Sequence, residues 1–235
     1  MDILNIPIFI ICRDKVSDLK LLVEWFNKQG HRRIYLIDND SSYPPLLDFY
    51  KTTDCKVIEL GANLGAGSPW IRKVVQKLAA DSYYIVSDPD VIPIDDCPNN
   101  VIEYLYGLLQ KYPQYQKAGF GLKIDDLPER YQFHKEVVKW ESQFYQKEIE
   151  PSVYEAFIDT TLALYRPNTN RGVGRPCIRT GHPYQARHMP WYSDSANPDE
   201  EELYYRKHCG TSSEHGTWGR ETLSPQLLHK ISKLD

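Results

Sequence analysis

The chain has 235 residues, 41% of them hydrophobic and 26% charged, with a net charge of −4. That length can bury a substantial core as one large domain, and the composition is that of an ordinary globular protein. The acidic balance excludes general nucleic-acid binding, which needs a basic surface. Five scattered cysteines without a CxxC pair exclude a zinc cage and a disulfide framework, and they fit a reducing, cytoplasmic compartment.

Residues 6–12, IPIFIIC, form a continuous apolar run, as expected of a strand covered on both faces. The run is too short to span a bilayer, so no transmembrane segment is expected there, and the Asp2 ahead of it does not suit a signal peptide. Val16, Leu19, Leu22, Val23 and Phe26 then recur at helical spacing. RIYLIDN (33–39) and residues 56–60 read as the second and third strands. Ile71, Val74, Val75, Leu78 and Ala79 follow an i, i+3, i+4, i+7, i+8 rule, which predicts one helix. YYIVS (83–87) is a fourth strand and empties into Asp88-Pro89-Asp90. Pro98 suits the first turn of another helix, carried by Val101, Leu105, Leu108 and Leu109. Later strands are expected at 118–124 and 156–165, with a helical stretch near 131–147 between them. Such alternation predicts an α/β fold with a Rossmann-like, mostly parallel sheet flanked by helices. Segment 166–197, rich in Pro, Gly and Asn and without period, reads as a long loop.

In an open parallel sheet, ligands bind beyond the carboxyl ends of the strands. Asp88 and Asp90 are expected there, and two hard oxygen ligands on a short spacer suit Mg²⁺ or Mn²⁺. A surface turn is the competing reading of Asp-Pro-Asp. Asp38 and Asn39 end the second strand on the same edge, where an Asp can accept from a nucleoside base or ribose, or close an Asx-turn. GANLGAGSPW (61–70), with Asn63 and Gly65, offers backbone amides to phosphate or is a plain turn; it matches neither GxGxxG nor a P-loop.

No acidic residue falls between 160 and 193, yet Arg166, Arg171, Arg175, Arg179 and Arg187 do, so this stretch is a candidate phosphate-binding surface. His188 lies where it closes and can supply a nitrogen ligand to the same metal. Asp159, in FIDTTLALY, reads as an acid in an apolar strand, where burial would raise its pKa and suit a general base; a bond to Thr160 or Thr161 is the alternative. Asp194 and Glu200, Glu201 and Glu202 are further candidates for the base or for holding acceptor hydroxyls, while the three glutamates also suit the start of a helix. Trp191 and Tyr192 are candidates for contact with a sugar acceptor.

The blocks IPIFIICRD, IYLIDND, YYIVSDPDVIP, AGFGLKIDD, AFIDTTLALY and ARHMPWYSD, in this order, resemble the GT-A class of nucleotide-sugar glycosyltransferases, close to the family 2 type. The resemblance spans about residues 5–220. It implies a single GT-A domain over 1–235, with a nucleotide-binding half at about 1–125 and an acceptor-binding half at about 126–235. It further implies Asp88 on ribose or metal, Asp90 and His188 on Mn²⁺ or Mg²⁺, Asp38 on the base, and Asp159 as catalytic base. Arg13, Asn39, Asn63 and Gly65 join Asp38 and Asp88 as expected donor-binding residues. The expected partners are a nucleotide-sugar donor, of which a UDP-sugar is the commonest, and a glycan or glycoside acceptor. The acidic motif of inverting members departs here, since Ile158 precedes Asp159 where a Glu is usual. A sugar-phosphate nucleotidyltransferase fits less well, because CRDKVSD after the first strand contains no glycine; a non-catalytic sugar-binding protein of the same fold is the other alternative.

Overall fold

The computed structural model describes residues 2–79, 81–159, 161–171, 175–209 and 222–234. Thr160, one expected partner of Asp159, lies outside them.

The first half alternates as its periodicity demands: β1 (Ile8–Cys12), α1 (Ser17–Lys28), β2 (Ile34–Asp38), α2 (Pro44–Thr52), β3 (Lys56–Glu59), α3 (Ser68–Ile71), α4 (Val74–Leu78) and β4 (Tyr84–Ser87). After it come β5 (Val91–Pro93), α5 (Val101–Lys111), β6 (Lys117–Leu122), α6 (His134–Ser142), β7 (Glu148–Glu150) and β8 (Val153–Ala156). The chain ends with β9 (Ala163–Tyr165), β10 (Cys177–His188), α7 (Glu200–His208) and α8 (Pro225–Ile231).

One sheet carries all ten strands, in the order β3-β2-β1-β4-β9-β6-β10-β8-β7, with β5 added to β10. The β3-β2-β1-β4 block is parallel. Beyond it, β9 runs antiparallel between β4 and β6, and β10 returns parallel to β6. The α/β class is as expected, with antiparallel pairing concentrated in the second half. Every residue of β1 is buried, which explains its unbroken apolar run. Leu19, Leu22, Val23 and Phe26 of α1 pack on one face of the sheet with α5, while Trp70, Val74 and Val75 cover the other. Among the described residues no helix is long and apolar enough to cross a membrane.

Three expectations are corrected. The single helix over 71–79 is two, because Lys73 takes a left-handed φ of +56° between α3 and α4. The 156–165 strand is broken: β8 stops at Ala156, β9 starts at Ala163, and the chain between them crosses the sheet. Segment 166–197 is not a loop throughout, since β10 places twelve residues in the sheet between β6 and β8. Gly181 and Pro183 hide this strand from pattern reading, and its register slips between Thr180 and Gln185, where they sit.

Candidate metal and diphosphate site

Asp88 and Asp90 follow the carboxyl end of β4, the strand beside β1 at the centre of the parallel block. Immediately afterwards β5 pairs with the end of β10, setting Val91 opposite His188 and Ile92 opposite Arg187. The backbone N–H of Met189 donates to the Asp90 carbonyl at 2.9 Å. This short antiparallel ladder is what brings two residues 98 positions apart in sequence together: His188 Nε2 lies 3.8 Å from Asp90 Oδ1. Both side chains are 16% exposed. Trp191 packs on the imidazole, ring centroids 4.6 Å apart.

Neither group is satisfied internally. Asp90 Oδ1 is buried without a hydrogen-bond partner, which costs free energy unless a ligand completes it; on the imidazole the orphaned atom is Nδ1, not the Nε2 that faces Asp90. Burial lowers the His188 pKa, opposed by the Asp90 charge and reinforced by Lys15, so the imidazole is held neutral and able to ligate. Bonds of about 2.0–2.2 Å from a divalent ion to each group span up to about 4.3 Å. An ion therefore fits between two atoms 3.8 Å apart, with water and diphosphate oxygens filling its remaining positions. Among the described residues no three His, Cys, Asp or Glu side chains form a ready-made cage, so a metal here would draw part of its shell from the substrate.

Three residues of this pocket escaped the sequence reading. Lys15, 8% exposed, places Nζ 2.9 Å from Glu202 Oε2 and 4.8 Å from the centre of the Tyr205 ring. Burial lowers its pKa, but Glu202 and Asp90 outweigh this and the net shift is upward, so it is firmly cationic. Asp18, in the first turn of α1, has its pKa pushed up to about 7 by burial and then by the Asp90 charge. Tyr205 is raised, first by burial, and feels both Asp88 and Asp90. The only signal available was KVSD directly after the first strand; α7, which brings Glu202 and Tyr205, lies almost the whole chain away.

Other expected donor-binding residues are built into the scaffold around this edge. Asp38 is 4% exposed; its Oδ1 accepts from the Tyr50 hydroxyl at 2.8 Å and its Oδ2 from the Ser41 N–H at 3.0 Å. Asn39, 2% exposed, accepts from Leu64 N–H at 3.2 Å and donates to Ser68 Oγ at 3.2 Å, pinning the glycine-bearing turn. Within that turn Asn63 Oδ1 accepts the Gly65 N–H at 3.1 Å, and Gly65 takes a φ of +65° that favours glycine. These two amides are thus already engaged by side chains. Arg13 donates to the carbonyls of Asn39 at 2.6 Å and His208 at 3.0 Å, tying the end of α7 to this edge.

Asp159 is not a buried strand residue. Its side chain is 72% exposed and its Oδ1 accepts from Arg171 Nη2 at 2.7 Å. The expected burial is absent, because Ile158 rather than Asp159 enters the core. Buried Lys117 fixes this crossing by donating to the carbonyls of Ile158 at 2.7 Å and Arg171 at 3.2 Å. Asp194 serves its own turn, accepting from Ala196 N–H and Asn197 Nδ2 at 3.0 Å each. Those bonds depress its pKa, the Asn197 amide most.

The arginines do not form a free phosphate surface. Arg179 is buried against Glu141, Arg187 joins Asp95 and Asp126, Arg166 donates to the carbonyls of Tyr115 and Leu109, and Arg171 holds Asp159. Only Arg175 of the five is exposed at the protein surface. Trp191, 1% exposed, is core rather than a platform for sugar, and Tyr192 donates to Asp126 at 2.5 Å. Glu200, Glu201 and Glu202 do open a helix, with Asp199 as N-cap.

No protein-family model matches the chain, and no curated protein sequence does. Among solved structures it is similar to the mannosyltransferase PcManGT from Pyrobaculum calidifontis in complex with GDP-Man and Mn²⁺, at 10% identity and a TM-score of 0.48 over 97% of this chain and 68% of that one. A UTP-bound UGPase from Acinetobacter baumannii is similar at 9% identity and a TM-score of 0.46, over 97% of this chain and 98% of that one. A UDP-glucose pyrophosphorylase complexed with UDP-glucose is similar at 10% identity and a TM-score of 0.43, over 86% of this chain and all of that one. At about a tenth identity, none of them assigns a role to a residue of this chain. The fold itself is α/β, one mixed sheet with helices packed on both faces.

Proposed function

We propose that this protein is a metal-dependent glycosyltransferase that moves a sugar from a nucleotide-diphosphate donor, with UDP as the expected nucleotide, to a hydroxyl of a glycan or glycoside. The observation that carries this reading is the pairing of Asp90 with His188 beside Asp88, at the carboxyl edge of the parallel block, with Asp90 Oδ1 buried and unbonded. When bound, Mn²⁺ or Mg²⁺ supplies positive charge against the diphosphate that leaves. Asp90 and neutral His188 would hold the ion from the protein side, Asp88 would orient it or the ribose, and buried Trp191 behind the imidazole, with half-buried Tyr205 under Lys15, would limit water.

The half at about 1–125 supplies the donor edge in this proposal, and the half at about 126–235 receives the acceptor. A cleft of about 520 Å³ lined by Gln132, Ser195, Pro198, Leu203, Arg206 and Lys207 is its entrance. One of its lining residues, Arg206, shares the Glu202 carboxylate with Lys15. Asp159, held by Arg171, remains the proposed base of an inverting transfer.

The test is Mn²⁺-dependent release of nucleoside diphosphate across a panel of UDP- and GDP-sugars. Asp90→Ala is expected to lower turnover at least about a thousandfold while the protein stays folded, as befits loss of the charge facing the leaving group. Asp159→Asn is expected to lower transfer about a hundredfold or more, the worth of a general base, without changing Mn²⁺ binding. Full activity in Asp90→Ala, or release of pyrophosphate from nucleoside triphosphate and sugar phosphate instead, overturns the proposal.

A further inference from the structure

Lys15 stands three residues beyond β1 and Asp90 three residues beyond β4, and these strands are parallel neighbours with Ile10 opposite Ser87. Both side chains therefore reach the same edge from adjacent strand ends. The Lys15 ammonium is almost fully buried, and its direct ionic partner is Glu202, 2.9 Å away. That carboxylate is shared, because Arg206 Nε lies 2.8 Å from its other oxygen. One carboxylate between two cations leaves Lys15 incompletely balanced, and the second acid within its electrostatic range is Asp90. Asp90 Oδ1 is buried and makes no hydrogen bond.

We propose that Lys15 is the resident cation of the Asp90 pocket and makes metal binding conditional on the diphosphate. The inference rests on the metal reading above. A divalent ion held by Asp90 and His188 would share this edge with a buried ammonium in a poorly screened site, and the like charges would weaken its binding. A diphosphate would bring the negative charge that both cations require. Metal and nucleotide therefore bind with positive coupling, and by reciprocity each tightens the other by the same factor. A charged partner from the β1–α1 turn thereby protects the enzyme from holding an ion without its donor. Tyr205, beneath the ammonium, and Glu202 keep Lys15 in place while its second partner changes from Asp90 to phosphate oxygens.

The test is Mn²⁺ affinity measured by electron paramagnetic resonance of free Mn²⁺, with and without UDP. Wild type is expected to bind Mn²⁺ weakly alone and more tightly with UDP. Lys15→Met, which keeps the stem and removes the charge, is expected to bind Mn²⁺ about tenfold more tightly without UDP and to lose about that factor of UDP enhancement. Lys15→Arg, which keeps the charge, is expected to behave as wild type. Glu202→Gln, which leaves Lys15 to Asp90 alone, is expected to weaken Mn²⁺ severalfold, so the idea stays testable should Lys15→Met fold poorly. Unchanged affinity and unchanged UDP enhancement in Lys15→Met, or a stronger site in Glu202→Gln, overturns the role of Lys15 while the metal site stands. Absence of Mn²⁺ binding in wild type and Lys15→Met alike, even with UDP, overturns the metal reading and this inference with it.

Discussion

Asp18 shows how far one acidic cluster can pull a titration from its usual range. Its pKa rises from 3.8 to about 7 in the fold, first through burial and then through Asp90, with Lys15 opposing. The folded state therefore binds this proton more tightly than the unfolded chain does. The stabilisation is complete below about pH 4 and is lost as pH rises through 7. In metal-free protein, Asp18→Asn is expected to remove this slope and to raise the Tm at pH 8 above that of wild type. Thermal melts between pH 4 and 8 check it, and parallel curves for the two proteins would contradict the assignment. Saturating Mn²⁺ and UDP should flatten the wild-type slope, since positive charge at Asp90 favours the Asp18 carboxylate.

At the scale of elements, the turn after β10 matters most, because it fixes His188. Trp191 fills the core there and rests against the imidazole. Trp191→Ala is expected to cost about 3–5 kcal/mol of stability, as for a large aromatic removed from a packed site. It should also weaken Mn²⁺ binding, because the imidazole loses its wall. Urea unfolding and the resonance titration measure the two effects; a loss under about 1 kcal/mol would show that this turn is not anchored by the indole. Helix α7 is held by similarly specific contacts: Glu201 accepts from the Val16 N–H at 3.0 Å and the Ser17 hydroxyl at 3.1 Å, capping α1 from a distant segment. Such contacts explain what was legible in the sequence. Strands β1, β2 and β4 announce themselves because both their faces are buried, and Asp88 and Asp90 could be named because they follow a readable strand; His188 could be named only from its place at the close of the arginine-rich stretch, since β10 itself was hidden. Lys15, Asp18 and Tyr205 could not be placed, since their role depends on where α7 docks. Asp159 was misread as buried because an apolar run conceals a chain that leaves one strand, crosses the sheet and enters another. The arginine-rich stretch misled for a related reason: its cations answer carboxylates and carbonyls contributed by distant elements.

For the whole molecule, one continuous sheet performs two tasks. Its parallel block provides the carboxyl edge that Asp38, Asp88 and Asp90 follow or end, and its mixed half swings β10 back so that His188 meets Asp90. The central claim is that Asp90 and His188 grip a divalent ion that in turn grips a diphosphate. Crystals grown with Mn²⁺ and UDP, with anomalous data collected at the manganese edge, test it most directly. The account predicts one strong anomalous peak within bonding distance of Asp90 and His188, with the diphosphate on its open side. A nucleotide bound elsewhere, with no manganese at these two side chains, would contradict it.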